Sequence, residues 1–208
     1  MYVAVAGNIG VGKSSLTRLL SERYRLEPIY EAVDENPYLP DFYRDMRRWA
    51  FHSQMFFLAE RLRQHLRQVN PGERVIQDRT VYEDAAIFAR ALWRDGVLSD
   101  RDHDAYLRMY EAIAATLRPP DLLIYLRASV PTLRARIALR GRDYESSIDP
   151  TYLGRLNELY DAYADGYALS RVVVLDADAL DFVRHERDLR TVFATVERFG
   201  LTPPLVRG

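Results

Sequence analysis

The run Gly7-Asn8-Ile9-Gly10-Val11-Gly12-Lys13-Ser14 follows the apolar residues Tyr2-Val3-Ala4-Val5-Ala6 and leads into Ser15-Leu16-Thr17-Arg18-Leu19-Leu20. Strand, glycine-rich turn and helix in that order spell G-x-x-x-x-G-K-[ST], in the context that gives the pattern meaning. The glycines let backbone N–H groups converge on an anion, and the helix N-terminus behind them adds partial positive charge. The turn therefore suits phosphate. Lys13 would reach the β- and γ-phosphates of a nucleoside triphosphate, the Ser14 hydroxyl would ligate Mg2+, and Ser15 joins the same donor site. Lys13 is also the only lysine among 29 basic residues. A compact ammonium fits a phosphate cradle that a forked guanidinium would overfill, so this placement favours a bound ligand over a bare helix N-terminus.

Further reactive groups stand at the ends of other apolar runs, where ligands of a parallel α/β sheet sit. Glu31 ends Leu26-Glu27-Pro28-Ile29-Tyr30, and Asp78-Arg79 follow Arg74-Val75-Ile76-Gln77. Beside a phosphate loop, Glu31 is placed to take the proton of an attacking hydroxyl and could help hold Mg2+. Asp78 would ligate the magnesium shell and Arg79 would clamp the reacting oxygens; the plain alternative is a helix cap beside a surface charge.

Tyr43, Gln54 and Arg61 are spaced by eleven and seven residues. On one helix, at ~100° per residue, they lie within about 20° of one another. With Trp49, Phe56, Phe57 and Leu58 around it, this polar stripe would line an aromatic slot for a flat heterocycle, Gln54 pairing with a base edge as Gln does with adenine. Arg136, Arg140 and Arg142 gather near Gly141 and could close over a triphosphate. His52, His65, His103 and His185 show no metal-ligand spacing. Tyr106, Tyr110, Tyr160, Tyr163 and Tyr167 read as core or subunit contacts.

Short apolar strands alternating with amphipathic helices position these groups. Strands are expected at residues 2–6, 26–30, 74–77, 121–126 and 171–175. Helices are expected from the loop to Tyr24, from Pro40 to Val69, from Val81 to Trp93, from the Ser99 cap to Leu117, from Pro131 to Arg140, from Pro150 to Leu169 and from Val183 to Phe199. The pattern predicts a parallel sheet of about five strands with helices on both faces. One domain over 1–208 is expected, with an arginine-rich lid near 140–149 and a loose tail at 202–208.

The chain is 48% hydrophobic and 28% charged with a net charge of −1, which gives no electrostatic case for a nucleic-acid or membrane partner. Apolar runs are too short to span a bilayer, and Met1 enters a strand with no room for a signal peptide. The absence of cysteine fits a cytoplasmic protein.

The loop, Glu31, Asn36-Pro37-Tyr38-Leu39, Asp78-Arg79-Thr80 and Arg140-Gly141-Arg142, taken as an ordered set, resemble the deoxynucleoside kinase family over nearly the whole chain. The resemblance implies a P-loop kinase fold and transfer of the γ-phosphoryl group of ATP to the 5′-hydroxyl of a purine deoxynucleoside, deoxyadenosine first. The alternatives are deoxyguanosine or deoxycytidine kinase and a thymidylate-type monophosphate kinase. It makes Glu31 the general base and Asp78-Arg79 the family's D/E-R-S motif, with Thr80 for Ser. Tyr43 and Glu145 match the pair on the sugar 3′-hydroxyl, and Gln54, Arg61 and Asp84 match the base readers, with Phe88 among the substrate contacts. Arg136, Arg140 and Arg142 match the lid arginines and Asp181-Phe182 the loop on the donor adenine. The resemblance further implies a homodimer packed through helices and inhibition by the end-product deoxynucleoside triphosphate. A GTPase switch loses its usual supports, since no D-x-x-G occurs and N-K-x-D cannot form around a single lysine preceded by Gly12.

Overall fold

At the centre of the computed structural model, which describes residues 1–31, 35–145 and 148–203, five parallel strands run in the order β2-β3-β1-β4-β5. They are β1 (Tyr2–Gly7), β2 (Glu27–Ile29), β3 (Val75–Asp78), β4 (Leu122–Arg127) and β5 (Arg171–Asp176). Every residue of β1 and β3 is buried, so both faces of the sheet are covered there, as continuous apolar runs require. The register sets Val5 opposite Asp78 and Gly7 opposite Leu126. The carboxyl ends of β1 and β3 thereby meet at one edge, where the phosphate loop turns into α1 (Lys13–Tyr24).

The helix expected from Pro40 to Val69 is instead divided. α2 (Leu39–Arg44) stops at Asp45, whose side chain accepts from Arg48 N and starts α3 (Met46–Gln64), continued by a π-helical turn at His65–Val69. Asp45 sits at φ −144°, an N-cap conformation that competes with helix continuation. Tyr43 therefore belongs to α2 and does not share a helix stripe with Gln54 and Arg61. The helix expected from Val81 to Trp93 starts as α4 (Val81–Glu83), widens to a π-helix over Asp84–Ala89 and ends as α5 (Arg90–Arg94).

α6 (Asp100–Ala114) is capped by Ser99 as its sequence suggests. α7 (Val130–Arg140) ends at Gly141, and α8 (Pro150–Asp165) opens on the Asp149 cap. α9 (Glu186–Arg198) begins three residues later than expected, because Asp181 Oδ1 accepts from Arg184 N and holds residues 181–184 in a turn. Residues 32–34, Ser146 and Ser147 of the expected lid and residues 204–208 of the expected tail lie outside the described residues. No helix among the described residues is long and apolar enough to cross a membrane.

Candidate active site

The phosphate loop is shaped by backbone. Gly7 has φ 147° and a Cβ there would stand 2.7 Å from Leu126 O; Gly12 has φ 105°, with Phe182 Cζ 3.5 Å from where its Cβ would be. Lys13 Nζ donates to Gly7 O at 2.9 Å and Asn8 O at 3.0 Å. Burial, with Arg79 acting the same way, pushes its ammonium down to about 8. An incoming phosphate would reverse that by supplying counter-charge.

One cavity of about 610 Å3 runs from this loop to the far end of the sheet edge. Ile9, Gly10, Gly12, Lys13, Ser14 and Ser15 line its donor end, together with Arg136, Arg140, Arg142, Asp181 and Phe182. Glu31, Tyr43, Gln54, Arg61, Asp78, Arg79, Asp84, Phe88 and Glu145 line the rest. Gly7, Asn8 and Val11 do not face it. Asn8 Nδ2 donates to Leu153 O at 2.9 Å and Asn157 Oδ1 at 2.8 Å, anchoring the loop to α8, and Val11 is fully buried.

Ser14 Oγ donates to Asp78 Oδ2 at 2.5 Å, while Asp78 Oδ1 is buried with no partner among the described residues. A hydroxyl and a carboxylate oxygen are hard ligands suited to Mg2+, and the orphaned oxygen is the acceptor such an ion would satisfy. Glu31, the third metal candidate read from sequence, is engaged by cations at one of its two oxygens. Its Oε1 lies 2.6 Å from Arg61 Nη2 and 3.3 Å from Arg79 Nη1, and two guanidiniums disfavour a divalent cation at the same oxygen. Burial works to raise the Glu31 pKa, but Arg79, Arg61 and Lys13 outweigh it and hold the carboxyl down at about 2. It is thus ionised at neutral pH, the form that can accept a proton.

Arg79 itself has φ 64°, an uncommon conformation for a non-glycine residue. Its backbone N–H donates to Val5 O at 3.0 Å, and its guanidinium lies 4.3 Å from the Phe88 ring centre. A capping box follows directly: Thr80 N and Oγ1 both donate to Glu83 Oε1, and Tyr160 OH donates to Glu83 Oε2 at 2.9 Å. Glu83 is fully buried and was missed by the sequence reading, although Thr80-x-x-Glu83 spells the box.

At the end of the cavity away from the loop, Gln54 is 4% exposed and its Oε1 has no partner among the described residues. Arg61 Nε donates to Asp84 Oδ2 at 2.5 Å. Burial pushes the Asp84 carboxyl up against the pull of Arg61. Phe57, one turn from both Gln54 and Arg61, supplies an apolar wall with Phe42 and Phe88. Trp49 and Phe56 do not; Trp49 stacks on Tyr38 at 5.8 Å. Tyr43 reaches the cavity from α2, its ring parallel to Tyr144 at 6.0 Å. Tyr152, in the first turn of α8, is a further wall that no sequence pattern announced.

The three arginines near Gly141 are not equivalent. Arg140 Nε donates to Glu145 Oε2 at 3.0 Å and Arg142 Nη1 reaches Glu145 Oε1 at 3.5 Å. Arg136 lies within α7, outside the lid, and its guanidinium donates to Val11 O and Ala177 O at 2.7 Å each, fastening the phosphate loop to the segment after β5.

With a triphosphate-type loop and a base-shaped slot opening on one cavity, similarity to known proteins decides the family. The deoxynucleoside kinase family model matches residues 3–200. The chain belongs to the deoxynucleoside kinase family. It is 35% identical to a deoxyadenosine/deoxycytidine kinase of Bacillus subtilis over 91% of this chain and 88% of that protein. It is 33% identical to a deoxyguanosine kinase of the same organism, over 94% of this chain and 96% of that one. A solved deoxyadenosine kinase from M. mycoides with bound dATP superposes with a TM-score of 0.83 at 29% identity, covering 95% of this chain and all of that one. The protein is an ATP-dependent deoxynucleoside kinase, and the P-loop kinase fold expected from its sequence is the one observed.

Proposed function

We propose that the enzyme phosphorylates the 5′-hydroxyl of deoxyadenosine, with deoxycytidine and deoxyguanosine as the competing acceptors. The observation that carries this is the buried, unpartnered Gln54 Oε1 beside Arg61 and Asp84, in the cavity that also holds the phosphate loop. A free acceptor there is satisfied by an amino group, which adenine and cytosine present on the edge where guanine carries O6, guanine's own amino group lying at C2.

In this reading Glu31 takes the 5′-hydroxyl proton as the O5′–Pγ bond forms and the bond from Pγ to the β–γ bridging oxygen breaks, releasing ADP. Lys13, Arg79, Arg140 and Arg142 neutralise charge on the moving group. Arg136 acts at one remove by holding the loop. Tyr43 and Glu145 orient the sugar, and Asp181-Phe182 flank the donor base. Ser14 and Asp78 would hold Mg2+, which when bound shields the β- and γ-phosphate oxygens.

The same cavity can take a deoxynucleoside triphosphate with its base in the slot and its phosphates at the loop, which supports feedback by the end product. dATP is then expected to compete with both ATP and deoxyadenosine. A homodimer packed through helices follows from the family resemblance; α6 buries only Tyr106 fully and leaves Met109 half exposed, and sedimentation of the enzyme tests it. One domain carries both subsites, and the lack of cysteine is in keeping with a cytoplasmic setting.

The test is Gln54→Leu assayed against each deoxynucleoside. Deoxyadenosine should lose about 1–3 kcal/mol of its advantage in kcat/KM. An unchanged ranking would remove Gln54 from base recognition.

A further inference from the structure

Arg61 touches the two ends of the acceptor site at once. Its Nε donates to Asp84 Oδ2 at 2.5 Å, and its Nη2 donates to Glu31 Oε1 at 2.6 Å. The side chain is 3% exposed and lies over the Phe57 ring at 5.6 Å, so without a nucleoside its plane is set by packing and by its two carboxylates, the balance that a bound base would shift. Its Nη1 makes no hydrogen bond among the described residues, and Arg61 lines the cavity, which leaves that nitrogen for an acceptor on the base. Glu31 Oε1, for its part, is held from two directions: by Arg79 after β3, and by Arg61 from the base slot.

A guanidinium is a rigid planar fork, so its donors cannot move independently. A base that rotates Arg61 to satisfy its own acceptor pattern also moves Nη2, and with it Glu31 Oε1. We propose that Arg61 is a positioning residue that transmits the seating of the base to Glu31, so that the enzyme discriminates among nucleosides in turnover and not only in binding. This rests on the reading of Glu31 as the base and of Gln54, Arg61 and Asp84 as the base slot. Asp84 is the brace of the device, since its contact with Nε sets the angle of the fork.

The experiment measures kcat and KM separately for deoxyadenosine, deoxyguanosine and deoxycytidine in the wild type, in Asp84→Asn and in Arg61→Lys. The lysine variant keeps the charge but presents a single ammonium in place of the fork that spans both carboxylates. Thermal melting accompanies each variant; should Asp84→Asn fail to fold, Arg61→Lys supplies the same readout. The wild type should differ among bases in kcat. In the variants, kcat for the preferred nucleoside should fall about 10- to 100-fold, as expected for a misplaced reacting group, and the kcat ratio between preferred and poor nucleosides should approach one. Variants that raise KM and leave kcat intact would overturn the proposal and make Arg61 a binding residue only. A uniform loss of kcat with the ratio preserved would also overturn it, by making Arg61 a purely structural support. A wild type that transfers phosphate to none of the three nucleosides would overturn the functional reading beneath it as well.

Discussion

The two ends of the cavity are built by different means. The donor end is built around one continuous piece of backbone: β1, the loop and the first turn of α1 supply its N–H groups, and Lys13, joined by arginines of α7 and the turn after it, supplies its charge. The acceptor end is an assembly of side chains from α2, α3, the segments after β2 and β3 and the π-helix after α4, with Glu31 and Asp84 set against Arg61 and Arg79 and the buried Glu83 behind them. A contiguous backbone cradle tolerates change in its surroundings. A charge-balanced cluster of buried groups does not, because each member removed leaves a partner uncompensated.

The contrast orders the expected effects. Glu31→Gln should lower turnover about 10²–10⁴-fold while nucleoside binding, measured by calorimetry, survives; turnover within a few fold of the wild type would take Glu31 out of the acceptor chemistry. Lys13→Ala should cost roughly 10²–10³-fold, expressed in kcat with ATP and with little change in nucleoside affinity. If nucleoside binding collapses as well, the two ends are not separable in the way their construction implies. Glu83→Ala should cost about 1–3 kcal/mol in unfolding free energy, since Thr80 N–H and Tyr160 OH lose their acceptor; Glu83→Gln, which keeps an acceptor, should recover part of it. An unaltered denaturation midpoint would contradict the buried role of the capping box.

The smallest effect lies behind both ends. His65 is buried between Tyr2 and Tyr82, and burial pushes its imidazole down to about 4 while the Arg118 carbonyl opposes. A folded-state pKa below the unfolded value of 6.5 means the unfolded chain binds the proton first. The stability from neutral His65 is therefore full above pH 6.5 and is lost as pH falls towards 4. His65→Gln should flatten that part of the melting-temperature profile without altering turnover at neutral pH, and an unchanged slope would assign the acid loss to other groups.

The legibility of the molecule follows the same division. β1, β3 and β4 could be read from their apolar runs because burial on both faces leaves little else for them to be. The phosphate loop was readable because its ligands are consecutive in sequence. The acceptor end was legible only residue by residue. Gln54 and Arg61 share a helix face and could be seen from spacing, but Tyr43 reaches the cavity by a different route, since Asp45 caps a new helix where propensity alone would carry one through. Asp84 depends on a widened π-helical turn, which has no local sequence signature, and its place among the base readers came from family resemblance. Arg136 is grouped with the lid arginines by proximity to Gly141, whereas its contacts with two carbonyl groups are a tertiary fact with no sequence signal.

The most direct test of the account is phosphate transfer from ATP with Mg2+ to the four deoxynucleosides and, in parallel, to their 5′-monophosphates. A single cavity joining the phosphate loop to a slot with Glu31 between them predicts transfer to the nucleosides, deoxyadenosine foremost, with the monophosphates poor acceptors. Transfer to monophosphates alone would contradict it, leaving Glu31 without a hydroxyl to deprotonate and Gln54, Arg61 and Asp84 without their substrate.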